Sequence, residues 1–267
     1  MTINMGIFGF GAIGQHLFKY INENKNLNIS CNSILVRNIT KYKTLNIKEI
    51  TDNIEVFFDK KIDYVVECAG HQSVIDYGQT VLSNSSNFII TSIGSLTDNS
   101  LLDKLLKASI KYSKKIIIPS AGIGSLDILS AASQGKLKEV EMTVKKSSGS
   151  WHGTIAEESF DLKTPHKDLL LFEGTVSEGA KLYPQNVNIS AAVAFAGIGL
   201  EKTSLKIISD SSIKTHIISI KAKGDFGEYT FIENVTPSLE NEKTGKIVSL
   251  ALIKTLKNLT SNFIVGS

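Results

Sequence analysis

Met5-Gly6-Ile7-Phe8-Gly9-Phe10-Gly11-Ala12-Ile13-Gly14 is the stretch whose reading decides the fold. Met5 to Phe8 form a short apolar run that stops abruptly at glycine, as a buried strand does. Ile13, Leu17, Phe18 and Ile21 then recur at helical spacing, so a helix begins inside the glycine cluster. Between strand and helix, the pattern G-x-G-x-x-G has a mechanical meaning. Gly9 permits the tight turn, Gly11 lets a pyrophosphate approach the backbone, and Gly14 lets helix and strand pack closely. Free N–H groups and the positive end of the helix then hold phosphate. Gly9, Phe10, Gly11, Ala12, Ile13 and Gly14 are therefore read as a dinucleotide site, against the plainer alternative of a simple strand–helix turn.

Outward from this turn, Ile29 to Val36 read as a second strand ending at Arg37-Asn38, with no carboxylate at its tip. NAD sites commonly place an acidic residue there for the ribose hydroxyl, whereas a guanidinium suits the 2′-phosphate of NADP. Arg37 is either that partner or an exposed arginine, and the residues leave NAD or NADP open. Residues 39–60 suggest a short helix and a minor strand around Val56-Phe57-Phe58. Tyr64 to Gly70 read as a buried strand closing on a small-residue turn. Ligands of an open α/β sheet lie beyond the strands' carboxyl ends, so Cys68, Ala69, Gly70 and His71 should border the cofactor. His71 itself reads as a helix-start histidine. Helices near 72–83 and 101–108 and strands near 88–92 and 115–119 continue the alternation, which argues for a doubly wound parallel sheet. Pro119 to Gly124 form a second glycine-bearing turn, either a linker or, at Gly122, a wall against the nicotinamide end of the cofactor.

From Lys138 the texture changes. Val140, Met142 and Val144 alternate with charged residues, and 214–223 and 226–233 are alternating runs joined by Gly224-Asp225. Asn188 to Ile198 form an alanine-rich helical run. The expected fold is α/β, an N-terminal Rossmann-type parallel sheet plus a second α/β domain with a mixed or antiparallel sheet. The expected boundaries are 1–120, completed by a C-terminal helix within 240–267 that Thr244 would cap, and 121–239.

Composition narrows the function classes. The 267 residues, 42% hydrophobic and 21% charged, suit a globular chain. A net charge of +3 without basic runs argues against nucleic acid but suits a small anionic ligand. No apolar stretch reaches membrane-spanning length, and the opening residues read directly into a strand rather than a targeting segment. Cys31 and Cys68 lack metal-ligand spacing or disulfide density, so a cytoplasmic location and no metal are expected. In the second half, His152 and His166 lie in a polar, loop-rich stretch where exposure is the default. His216 shares strand parity with Ile218, Ile220 and Ala222, which makes it either a satisfied core histidine or a proton carrier. Asn186 and Asn188 are either helix caps or partners for the nicotinamide carboxamide.

With these residues in order, the chain resembles the L-aspartate dehydrogenase family over essentially its whole length. The match is carried by Gly9–Gly14, Val66–His71, Pro119–Gly124, Phe172–Thr175, Leu182–Asn188, Ala196–Leu200, His216, Glu233–Val235 and Asn241–Thr244. The resemblance implies NAD(P)-dependent oxidative deamination of L-aspartate, through iminoaspartate, to oxaloacetate and ammonia, with the imine also able to feed NAD biosynthesis. It implies a homodimer, the acid/base role for His216, and cofactor contacts at Gly122 and Asn188. Three departures stand out. Ala121 and Gly122 are exchanged relative to the family's Pro-Ser-Gly-Ala-Ile-Gly, Lys214 replaces an asparagine two residues before the histidine, and Asn241-Glu242-Lys243-Thr244-Gly245 replaces Asn-Pro-Lys-Thr-Ser. A substrate with two carboxylates needs cations, and Lys243 and Lys214 are the candidates on charge alone. Lys214 would also depress the His216 pKa if it lay close. The alternatives are an imine or oxo-acid reductase built on the dihydrodipicolinate-reductase plan, and a non-catalytic NAD(P) sensor.

Overall fold

The computed structural model describes residues 2–120, 122–184, 187–236 and 247–266. By contacts, the chain divides into two compact units, one running to Pro119 and taking back Ser249–Val265, the other Ser120–Val248.

The first unit is a six-stranded sheet of order β3-β2-β1-β4-β5-β6, in which every pairing is parallel. Its strands are β1 (Ile3–Phe8), β2 (Ile29–Leu35), β3 (Ile50–Thr51), β4 (Tyr64–Glu67), β5 (Asn87–Ile90) and β6 (Ile116–Ile117). The helices between them are α1 (Ala12–Glu23), α2 (Ile54–Phe58), α3 (His71–Ser83) and α4 (Asn99–Lys111). Strand order reverses between β1 and β4, the switch point at which such sheets take ligands. Met5, Ile7, Leu17, Ile21, Ile34 and Val66 share a buried cluster with Leu252 and Leu256 of α9 (Ile247–Thr260).

One expected element is corrected here. Val56-Phe57-Phe58 is not a strand but part of α2, and the minor strand is β3, just before it. The Asn53 side chain accepts hydrogen bonds from the N–H groups of Glu55 and Val56, capping a helix that aromatic strand propensity disguises. Phe57 is fully buried with its ring centroid 5.0 Å from that of Phe8, so packing secures what the cap begins.

The second unit is a mixed sheet of order β11-β10-β7-β9-β8, in which only β7 and β9 run parallel. Its strands are β7 (Leu137–Lys146), β8 (Leu169–Thr175), β9 (Ser204–Ser209), β10 (His216–Gly224) and β11 (Gly227–Val235). The helices are α5 (Leu126–Ala132), α6 (Ile155–Ser159), α7 (Val176–Leu182) and α8 (Asn188–Ala196). Val144, Leu205 and Ile207 meet Gly179, Tyr183, Val187 and Ser190 across the sheet–helix interface. Along β7 and β10 burial alternates residue by residue, placing Val140, Met142, Val144, Ile218, Ile220 and Ala222 on that inner face. Thr244 lies outside the described residues.

Candidate active site

In the first unit the strand ends of β1 and β4 lie side by side, with Phe8 paired to Glu67. Gly9 takes φ +87°, and a Cβ there would stand 2.7 Å from the Cys68 carbonyl oxygen. A Cβ on Gly14 would stand 2.2 Å from the Gly9 carbonyl oxygen, so helix α1 can approach the turn only as glycine. Gly11 is different: nothing lies within 4 Å of where its Cβ would point. Gly11 is also the N-cap of α1 and supplies no side chain to satisfy the first-turn N–H groups. Close packing on one side, with open space and unsatisfied donors on the other, is the cradle that a pyrophosphate requires. The residues fit NAD(P).

Not every residue of the fingerprint presents its side chain there. Phe10 is buried, edge-on to Phe18 and Tyr42, and its carbonyl accepts from the Gln15 amide at 2.9 Å. Its contribution to a ligand is through the backbone. Ala12 is exposed and Ile13 half-buried in the first turn of α1. Arg37 is exposed at the tip of β2 and makes no salt bridge among the described residues.

Glu67 organises the neighbouring turn, a role that its place in the sequence motif does not reveal. Its fully buried carboxylate accepts from the Ala69 and Gly70 N–H groups at 2.8 Å and from both the N–H and the hydroxyl of Ser92 at 2.9 Å. The Ser73 hydroxyl adds a fifth bond at 3.2 Å. One side chain therefore fixes the ends of β4 and β5 and the start of α3. Cys68 is held by carbonyls, its Sγ 3.1 Å from the Phe8 oxygen, and burial pushes its thiol pKa well up. It is no nucleophile. His71 is the half-buried first residue of α3.

In the second unit, Gly122 lies against the start of α8: a Cβ built on it would fall 3.9 Å from Ile189, next to Asn188. Val187, rather than an asparagine, is the N-cap of α8, while Asn186 lies outside the described residues. Gly124 donates its N–H to Glu233 Oε2 at 3.0 Å. That bond ties the turn to the inner face of β11, where burial raises the Glu233 pKa. Glu233 pairs with Ile218, two residues along from His216.

His216 opens β10 with its side chain on the inner face, 5% exposed. Its Nε2 is buried and has no hydrogen-bond partner among the described residues. Burial, then the charge of Lys146, brings its pKa down to about 4. Of its two ring nitrogens, Nε2 is thus left unsatisfied among the described residues. The cation acting on it also differs from the expected one. Lys214 is exposed in the preceding turn, whereas Lys146 ends the inner face of β7 with 5% exposure. Ile217 pairs with Lys145, which brings His216 and Lys146 to the next rung, and Lys146 pairs with Ser209 of β9. Lys243 lies outside the described residues.

His152 and His166 have structural surroundings, as does His16, with Nδ1 2.8 Å from the Ser249 hydroxyl. His152 is exposed and bonded to Glu157 at 2.9 Å. His166 is half-buried, with Nδ1 2.8 Å from the Thr164 carbonyl oxygen and Nε2 2.8 Å from the Ser209 hydroxyl.

Comparison with known proteins decides between the readings. A family model described as "Aspartate dehydrogenase, C-terminal" matches residues 127–259, and one described as "Homoserine dehydrogenase, NAD binding domain" matches 9–119. The L-aspartate dehydrogenase of Methanococcoides burtonii is 34% identical over 274 residues, spanning 99% of this chain and 100% of that protein. The chain belongs to the L-aspartate dehydrogenase family. The crystal structure of the Thermotoga maritima aspartate dehydrogenase superposes with a TM-score of 0.78 at 25% identity, with all of both chains covered. A dihydrodipicolinate reductase from Paenisporosarcina shares the fold alone, with a TM-score of 0.54 at 12% identity over 97% of this chain and 95% of that one. Among the described residues, no helix is long and apolar enough to cross a membrane.

Proposed function

We propose that this member of the L-aspartate dehydrogenase family oxidises L-aspartate with NAD or NADP, giving oxaloacetate and ammonia, and that His216 performs the proton transfers. The observation that carries the reading is the state of His216: buried, with Nε2 unpartnered among the described residues, and with a pKa of about 4. Such an imidazole is neutral at neutral pH and has a lone pair to offer, which is what a general base needs.

Gly9 to Gly14 hold the pyrophosphate of the dinucleotide through backbone N–H groups, and the Glu67-braced turn at Ala69-Gly70 borders it. Gly122, whose built Cβ would reach Ile189, and Asn188, the first residue of α8, are the proposed nicotinamide contacts of the second unit. When bound, the nicotinamide would supply the acceptor for the hydride of the substrate α-carbon, once the substrate ammonium has lost a proton to solvent. His216 then takes a proton from the water that adds to the imine carbon of iminoaspartate. It delivers that proton to the nitrogen and takes the hydroxyl proton as the C–N bond breaks, so that ammonia leaves and the ketone of oxaloacetate remains. Passing this last proton to solvent returns the histidine to its neutral form.

The outward face of the second sheet carries Leu170, Ile208, Ile217 and Ile232, of which Leu170 and Ile232 are exposed, and it is the surface on which we place a homodimer contact. The two free cysteines suit a cytoplasmic enzyme. A role in supplying an imine for NAD biosynthesis accords with the product chemistry.

The test is an amino-acid panel assayed separately with NAD and NADP by nicotinamide absorbance. Aspartate-dependent reduction, absent with other amino acids, is the expected result. Tight cofactor binding with no turnover on any amino acid would favour the sensor. Reduction of a cyclic imine without aspartate oxidation would favour the reductase.

A further inference from the structure

The inner face of the second sheet is apolar along most of its length, then ends in polar groups on three adjacent strands. These are His216 on β10, Lys146 on β7 and Ser209 on β9, each with 5% exposure or less. The Lys146 ammonium lies 5.6 Å from the Trp151 ring centroid. Two buried polar atoms of this group, His216 Nε2 and Trp151 Nε1, have no hydrogen-bond partner among the described residues. Buried polar atoms are nearly always satisfied, so a pair left open beside a buried cation marks a place where a polar ligand completes the structure.

We propose that Lys146 receives the side-chain carboxylate of the substrate beside His216, and so is the residue that selects an acidic amino acid. The proposal rests on the aspartate dehydrogenase reading above. A cation in a poorly hydrated site attracts a carboxylate far more strongly than a surface lysine does. It also rejects the neutral isostere, asparagine, which cannot replace the lost charge. The arrangement supplies a second function from the same charge. In the free protein, Lys146 helps to keep His216 neutral; a carboxylate docked on Lys146 offsets that field, so the imidazole accepts a proton more readily once substrate is in place. Among the described residues, the other ionisable groups on or against this face are Glu233 and Tyr229 of β11, His166 through Ser209, and the buried Tyr183, edge-on to Trp151.

Two measurements test this. In the first, Lys146→Met and Lys146→Arg are assayed with aspartate and asparagine at saturating cofactor. Lys146→Met should raise KM for aspartate by about 100-fold, change kcat less, and collapse the preference over asparagine, while Lys146→Arg keeps that preference. Cofactor affinity should stay within about two-fold of wild type, since the lysine is not placed on the nucleotide. In the second, succinate, a dicarboxylate with no amine to oxidise, is titrated into the wild type with NAD present, and His216 is followed by imidazole NMR. Its titration should move upward from about 4 on binding, and Lys146→Met should abolish the shift.

A Lys146→Met variant that keeps its preference for aspartate, or a His216 unmoved by succinate, overturns the proposal. Equal loss on aspartate and asparagine also overturns it, in favour of a packing role on Trp151. A wild type without aspartate turnover would instead overturn the dehydrogenase reading, and the succinate titration would still decide Lys146. Should Lys146→Met fail to fold, the wild-type titration decides alone.

Discussion

Acidifying the protein from neutral pH should leave His216 uncharged well below the pH at which an ordinary histidine protonates. Burial and the Lys146 charge lower its pKa from 6.5 to about 4, which corresponds to about 3 kcal/mol against the charged form. The consequence for stability follows from which state binds the proton first. As pH falls below about 6.5 the unfolded chain takes up the proton on this residue, while the folded chain takes it up only near 4. The contribution is therefore fully present above the ordinary value and is lost between there and about 4, so the fold weakens by up to about 3 kcal/mol through this residue. The assay is imidazole nitrogen NMR across the acid range, with His216→Asn assigning the resonance, alongside urea unfolding at the same pH values. A neutral imidazole at about pH 5 is expected. Half-protonation at or above 6.5 would refute the electrostatic argument, whatever the enzyme's activity.

Further outcomes concern the nucleotide-binding unit. Gly14→Ala drives a methyl to 2.2 Å from the Gly9 carbonyl and should lower both stability, by about 1–3 kcal/mol, and nucleotide affinity, as thermal melts and NADH fluorescence titrations will report. Gly11→Ala meets no protein atom within 4 Å, so it should keep the melting temperature and lose nucleotide affinity alone; equal affinity would remove the pyrophosphate from that turn. Glu67→Gln turns one acceptor into a donor facing the Ser92 N–H and should cost about 2–3 kcal/mol in chemical unfolding, with KM for the cofactor rising more than KM for aspartate. Arg37→Ala should weaken NADP about tenfold and leave NAD within about two-fold if its guanidinium meets the 2′-phosphate; parallel losses would assign it to general steering.

Most of the first unit is legible in the sequence because its signals are local. The period of Met5–Ile21 and the spacing of three glycines specify strand, turn and helix without help from distant residues. Where propensity and capping disagree, at Val56–Phe58, the cap from Asn53 and the burial of Phe57 prevail. In the second unit β8 and β9 give no clear sequence signal. Leu169–Leu171 is a continuous apolar run with a register irregularity at Leu171, so its alternation is broken, and Ser204–Ser209 is short and flanked by polar residues.

The chemistry is legible in part. Strand parity puts His216 on an apolar face, and the structure has it there. Lys146 escapes notice in the sequence because a lysine is ordinarily a solvent residue, yet it continues the inward parity of Val140, Met142 and Val144. Lys214 attracts attention only through its nearness in sequence. On a sheet, residues two apart along a loop can point to solvent, while neighbours in space come from the next strand, here about 70 positions away. Glu67 is recognisable as part of a motif, but its five donors come from three separate segments that only the fold assembles.

The central claim is that His216 carries the proton chemistry of aspartate oxidation. Its most direct test is the aspartate-dependent rate of cofactor reduction in the wild type and in His216→Ala, each with NAD and with NADP. Turnover in the wild type, a fall of about 100-fold or more in kcat for the variant, and unchanged nucleotide affinity are expected. A variant that oxidises aspartate at near wild-type rate would contradict it.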